Sequence, residues 1–112
     1  MKILHLTLKK KWFDLIATGK KIYEYREFKP YWQKRLLKDD GSAKRFDIVR
    51  FKNGYGKKSP TMDVKFLGMI FCQNDWFEPG WYYPEHGEEI NGPQIVICLG
   101  DILKIENWEV KK

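Results

Sequence analysis

Cysteine is scarce: the 112 residues contain only Cys72 and Cys98. Their surroundings, Phe71-Cys72 and Ile97-Cys98-Leu99, have neither a C-x-x-C spacing nor a neighbouring histidine, so no metal site is expected. Both read as core thiols, and a disulfide between them would require their strands to pair. Histidine is equally sparse. His5 and His86 have no partner at catalytic or metal-binding spacing, and nothing in the sequence asks for a cofactor. No apolar run approaches the roughly 20 residues of a membrane span, and the longest, Ile95 to Leu99, has the length of a strand. The opening Met1-Lys2-Ile3-Leu4-His5 lacks the apolar segment and small-residue cleavage site of a secretory leader. These absences predict a soluble cytoplasmic protein with no membrane partner. Without repeats, low-complexity stretches or a linker, residues 1–112 read as one domain.

What the chain does have is aromatic and basic character. Hydrophobic residues make up 43% and charged residues 32%, with 5 Trp, 6 Tyr and 7 Phe, which is too apolar for a disordered chain. The net charge of +6 is unevenly spread. Residues 1–46 carry 13 Lys/Arg against 5 Asp/Glu, whereas residues 47–112 carry 8 against 10. A basic half of this kind is the footprint of a polyanionic partner, because each phosphate neutralised releases counterions. It is equally the composition of many small basic proteins that bind nothing acidic.

Hydrophobic periodicity outlines the elements. Leu4, Leu6 and Leu8 alternate with His5 and Thr7 as in a half-buried strand. Trp12, Phe13, Leu15 and Ile16 then recur at helical spacing over Lys9 to Thr18, and Gly19 follows where a helix ends. Ile22 to Phe28 alternates again, with Ile22, Glu24, Arg26 and Phe28 on one face. Pro30 opens a short helix over Tyr31 to Leu37. Strands follow from Phe46 to Phe51 and from Met62 to Cys72, the second with a bulge at Gly68. Residues 73–94 have no clear periodicity and read as a long loop or a partly helical insertion. The chain closes with strands from Gln94 to Leu99 and from Ile102 to Trp108, separated by Gly100-Asp101. Five or six short, mostly antiparallel strands and two short helices near the N-terminus predict an α+β fold built as a small β-barrel with peripheral helices.

The most informative stretch is Gly19-Lys20-Lys21-Ile22-Tyr23-Glu24-Tyr25-Arg26, a G-x-K-x-x-E-x-R pattern. Gly19 ends the helix, Lys21 leaves the turn with a mobile positive charge, and Glu24 and Arg26 project from one strand face about 7 Å apart. Arg26 offers a fork to phosphate or carboxylate, and Glu24 can accept a proton or a base amino hydrogen. Those are the needs of a nucleotide site. The plainer alternative is a salt bridge between Glu24 and Arg26 that orients the turn.

The motif and the order of elements around it resemble the ASCH domain, a family with a pseudouridine-synthase-and-archaeosine-transglycosylase (PUA)-like barrel, over nearly the whole chain. The resemblance implies a PUA-like fold and an RNA- or nucleotide-binding cleft beside the motif, with Lys21, Glu24 and Arg26 as its site. Some small bacterial ASCH proteins look like amidohydrolases of N4-acylated cytidines, in which the motif lysine acts with a threonine three residues later. Here that position is Glu24, which removes the expected hydroxyl, although Lys21 and Glu24 could still activate a water. A metal-independent ribonuclease using the same pair is the other enzymatic alternative that the resemblance implies.

Further candidates surround the motif. Lys9, Lys10 and Lys11 open the first helix, where an anion would offset their unfavourable interaction with the helix dipole. Lys29, Lys34, Arg35 and Lys38, interleaved with Tyr31 and Trp32, could extend a nucleic-acid surface, although Trp32 reads first as a core residue. Trp76 and the aromatics that follow it could stack on a base or lid the core. Tyr55, in Asn53-Gly54-Tyr55-Gly56, could line the same cleft or simply occupy a turn. The ligand expected here is therefore RNA, a nucleotide or a nucleoside, bound by Lys21, Glu24, Arg26, Lys9, Tyr55 and Trp76.

Overall fold

A computed structural model of the chain describes residues 1–72 and 94–108. Among them, five strands and two helices follow in the order β1 (Ile3–Thr7), α1 (Lys10–Ala17), β2 (Tyr23–Glu27), α2 (Pro30–Leu36), β3 (Ile48–Lys52), β4 (Thr61–Cys72) and β5 (Gln94–Glu106). The strands form one sheet in the order β1-β3-β4-β5-β2, with β1 parallel to β3 and the other neighbours antiparallel. The sheet curls into a half-barrel, which is the small, mostly antiparallel α+β architecture that periodicity predicts.

The curl has a local cause. Register shifts interrupt the β4–β5 ladder between Asp63 and Val64, between Val64 and Phe66, and between Phe66 and Gly68, and each bulge adds bend and twist. Gly68 supplies a φ of 141°, which a side chain would resist. The same ladder corrects the expectation of two C-terminal strands. β5 runs unbroken through Gly100-Asp101, because Leu99 pairs with Phe66 and Ile102 with Val64, so the turn-like dipeptide is absorbed as a bulge.

Alternation places Leu4 and Leu6 of β1, Val49 and Phe51 of β3, Met62 and Val64 of β4, and Ile95 and Ile97 of β5 in one buried cluster. Phe13 and Ile16 of α1 and Leu36 of α2 close it. Each such side chain contributes about 1.5–3 kcal/mol on burial, so the inner face of the sheet is the main source of stability. The Trp108 indole donates to Asp14 Oδ1 at 2.9 Å and ties the end of the described chain to α1.

The outer face is polar and ordered in rows. His5, Arg50, Asp63 and Lys104 are cross-strand neighbours, as are Thr7, Lys52, Thr61 and Glu106. The two cysteines lie in adjacent strands but out of register. Cys72 pairs with Gln94 and Cys98 with Gly68, about 13 Å apart along the ladder and beyond the reach of a disulfide.

Candidate functional site

The motif owes its position to the end of α1. Thr18 Oγ1 donates to Asp14 O at 2.8 Å, and Gly19 takes the left-handed conformation, φ 77°. The Gly19 N–H then bonds to Ile16 O at 3.0 Å and the Lys20 N–H to Leu15 O at 2.9 Å, which is the double closure of a Schellman turn. The Lys21 N–H also reaches Leu15 O, at 3.1 Å. The chain is thereby folded back, and the Lys21 ammonium rests 4.8 Å from the centre of the Trp12 ring and 5.7 Å from that of Tyr25.

β2 then delivers the other two members. Glu24 stands opposite Ile97 and Arg26 opposite Ile95, so both emerge on the inner face of the sheet, against the core. Glu24 Oε1 accepts from the Arg26 guanidinium at 2.9 Å, from the Tyr25 N–H at 3.0 Å and from the Lys21 ammonium at 3.3 Å. Lys21 and Glu24 are each only 4% exposed. The expected mobile lysine is therefore a buried, fixed one, because the turn sets its ammonium over Trp12 and the carboxylate holds it there. The salt bridge between Glu24 and Arg26 exists, and Lys21 belongs to the same network.

That network is lopsided. One carboxylate oxygen takes all three donors, while Glu24 Oε2 is buried with no hydrogen-bond partner among the described residues. A buried acceptor left open costs about 1–3 kcal/mol, so it calls for an explanation. Arg26 is equally one-sided. Its Nη1 donates to Glu24 and, at 2.7 Å, to Tyr25 O, while its Nε and Nη2 have no acceptor among the described residues.

Arg26 also reaches a second space. It lines a cleft of about 770 Å³ together with Thr7 of β1, Trp32 and Arg35 of α2, and Lys52 and Thr61 at the base of the β3–β4 hairpin. His5, Leu6, Tyr31 and Arg50 complete the wall, which includes no carboxylate among the described residues. Trp32 packs on the core, and two guanidiniums lie near its ring, Arg26 at 5.1 Å and Arg35 at 5.3 Å from the ring centre. Arg35 is anchored in turn, donating to the edge carbonyl of His5 at 3.0 Å and to the Tyr31 hydroxyl at 3.2 Å. Tyr31 is 62% exposed, with the Arg35 guanidinium 5.7 Å from its ring centre.

Arg50 is already committed. Its Nε and Nη2 make a two-pronged pair with Asp63 at 2.7 and 3.0 Å. That fork holds the Asp63 carboxyl below its ordinary value, against the opposing effect of burial, and raises the Arg50 guanidinium. Lys52, next along the strand face, has no ion pair among the described residues.

The remaining expected site residues separate. Lys9 is exposed at the start of α1, directly after Leu8, whose N–H bonds to Lys52 O at 2.9 Å, so it stands at the Lys52 end of the sheet. Tyr55 is 89% exposed on the β3–β4 turn and is not part of the cleft wall, because the hairpin carries it past Lys52 and Thr61. Trp76 lies outside the described residues, as do its neighbouring aromatics and His86. Sequence reasoning passed over Thr7, Arg50, Lys52 and Thr61. Their alternation with Leu6, Val49, Phe51 and Met62 shows that they share the outer face, but no local pattern shows that α2 and Arg26 rise beside that face.

Among the described residues no helix is long and apolar enough to cross a membrane, and no cluster of His, Cys, Asp and Glu could hold a metal ion. Compared with protein-family models, curated proteins and solved structures, the chain matches none, so every role assigned at this site rests on its own residues.

Proposed function

We propose that this protein is an RNA- or nucleotide-binding domain of the ASCH type, with a PUA-like barrel, and that its ligand occupies the cleft beside Lys21, Glu24 and Arg26. The observation that carries the reading is the divided guanidinium of Arg26. One nitrogen is fixed by Glu24 and Tyr25, while the Nε–Nη2 edge remains for a ligand in a cleft whose wall supplies Arg35, Lys52 and two aromatic rings. A side-on arginine fork suits a phosphate, and an anchored guanidinium loses little freedom on binding one. Tyr31 offers a ring for a base at the cleft, and Glu24 acts through Arg26 by fixing one of its nitrogens.

The test is titration of the protein with nucleoside monophosphates and short RNAs, followed by tryptophan fluorescence and calorimetry. Arg26→Lys keeps a cation beside Glu24 but loses the fork, and Arg35→Ala removes the second guanidinium. Each substitution is expected to weaken binding at least tenfold, in line with about 1.5–3 kcal/mol for a hydrogen bond to a charged group. Unchanged affinity in both variants would sink the reading.

The hydrolase reading has one supporting observation, the pairing of a buried lysine with a carboxylate that keeps an open oxygen. It expects turnover of an N4-acylated cytidine, or cleavage of RNA without metal, that is lost in Glu24→Gln. The deep burial of both groups favours binding over chemistry, since an attacking water or a 2′-hydroxyl would have to reach them past Trp12 and Tyr25.

A further inference from the structure

We propose that the cleft is the start of a track for single-stranded RNA that continues from Arg26 and Arg35 past Lys52 to the β3–β4 turn, where Tyr55 stacks on a base and Lys57 and Lys58 meet phosphates. This rests on the cleft being the ligand site. It adds that the ligand is a strand of several nucleotides rather than a single one.

The first support is the cleft's asymmetry. Arg26 and Arg35 stand at one end, by the free edge of β1, where Arg35 holds the His5 carbonyl. Lys52 and Thr61 stand at the other end, on the outer face of β3 and β4. Two residues along a strand and one strand across separate the His5 and Lys52 backbones by about 8 Å. Consecutive phosphates of a strand can engage the two ends in turn.

The second support is the state of the charges between them. Arg50 is closed off by its two-pronged pair with Asp63, and Glu106, the acid in the Lys52 row, is bonded to Lys104 at 2.6 Å. Lys52 remains as the cation of the row, flanked by the hydroxyl-bearing Thr7 and Thr61.

The third support lies beyond the cleft. The β3–β4 turn is a built structure: Asn53 Nδ2 donates to Leu8 O at 2.9 Å, the Asn53 N–H to Pro60 O at 3.0 Å and the Ser59 N–H to Gly56 O at 3.1 Å. Gly54 has a φ of 105° and sets the reversal. A turn pinned this firmly nonetheless leaves Tyr55 89% exposed, with Lys57 and Lys58 also exposed. An exposed ring beside two lysines on a hydrogen-bonded turn is the pairing of stacking platform and backbone contact that binds single strands without sequence preference. From Arg35 to the turn the path is about 20 Å, matching the lower end of the roughly 4–16-nucleotide footprints of small barrels on single strands.

The experiment compares uridine monophosphate with oligouridylates of two, four and eight nucleotides and with an RNA duplex, on the full chain and on a Lys57→Ala/Lys58→Ala/Tyr55→Ala variant. These substitutions lie on an exposed turn, and the melting temperature verifies that folding is retained. Affinity is expected to rise at least tenfold from the monophosphate to the tetranucleotide. The variant should lose that gain while binding the monophosphate as before. Its salt dependence should also flatten by about 0.7 for each phosphate contact removed. Equal affinity for monophosphate and octanucleotide overturns the track and leaves the nucleotide cleft standing, as does an unaltered length dependence in the variant. Tighter binding to the duplex than to the single strand also overturns it. Absence of binding to every probe removes the cleft reading itself, and the track with it.

Discussion

Replacing Glu24 with Gln perturbs the one place where the motif's charges meet the core. Glu24 Oε1 holds both Lys21 and Arg26, and the side chains of Lys21, Glu24 and Arg26 are 3%, 5% and 14% exposed. The substitution keeps volume and shape but leaves two cations facing each other with no anion between them. Breaking a buried ion pair from one side costs about 3–5 kcal/mol, and the lower figure applies here because Arg26 can relax towards the cleft. About 3 kcal/mol is a large part of the roughly 5–15 kcal/mol that hold a domain together, and the melting temperature should fall by about 10 °C or more. Lys21→Met should cost less, since Glu24 keeps Arg26 and the Tyr25 N–H. The double variant should be more stable than Glu24→Gln alone, because the uncompensated charge is gone. Urea unfolding followed by tryptophan fluorescence measures all three, with Trp12 beside Lys21 as a reporter. A loss under about 0.5 kcal/mol in Glu24→Gln, or no recovery in the double variant, refutes the description of the triad as a structural unit.

Asp63 has its carboxyl lowered below the ordinary 3.8 by Arg50, so its folded value lies under its unfolded one. The stabilisation is therefore complete above about pH 4 and is lost as pH falls through the folded value; urea midpoints between pH 6 and pH 2 should decline more steeply in the natural chain than in Asp63→Asn, and equal slopes would contradict this. Gly19→Ala should cost about 1 kcal/mol, since φ 77° strains any side chain even where nothing lies in its way, and a thermal melt reads the shift. Trp108→Phe removes the bond to Asp14 and should cost about 1 kcal/mol, with the C-terminal segment cut sooner by protease.

The fold was legible wherever one period ruled a segment. Leu4-Leu6-Leu8 announced a half-buried strand, Trp12 to Ile16 a helix, and Gly68 a bulge, and each stands where alternation put it. Gly100-Asp101 reads as a break because Gly-Asp has turn chemistry in isolation, while the partner strand decides whether a turn or a bulge forms. The motif's cohesion was legible in part. Spacing put Glu24 and Arg26 on one face, but only the fold shows that this face is the inner one, opposite Ile97 and Ile95. Lys21 was misjudged for the same reason, since its burial depends on where the Schellman turn aims it relative to Trp12. The parallel pairing of β1 with β3, which sets Thr7 beside Lys52, is a contact across 45 residues that no local pattern encodes.

The arrangement of charge around Arg26 carries a consequence for how the site works. Of the three charged groups in the motif, Arg26 alone forms part of the cleft wall. Lys21 and Glu24 therefore act on a ligand in the cleft chiefly through it: Glu24 fixes one guanidinium nitrogen, and Lys21 keeps the net charge of the cluster positive. A guanidinium held in this way presents its remaining donors in a set orientation, so less side-chain entropy is lost when an anion arrives. Trp32 extends the same logic, because its ring is packed on the core and both Arg26 and Arg35 lie against it, holding two like charges near each other. A ligand anion in the cleft meets both charges, since both arginines line it. Trp32→Leu should preserve the apolar packing but release both guanidiniums, weakening phosphate binding several-fold while moving the melting temperature far less than Glu24→Gln does. If binding survives Trp32→Leu intact, the arginines need no platform, and preorganisation by the Trp32 ring is not what tunes the cleft.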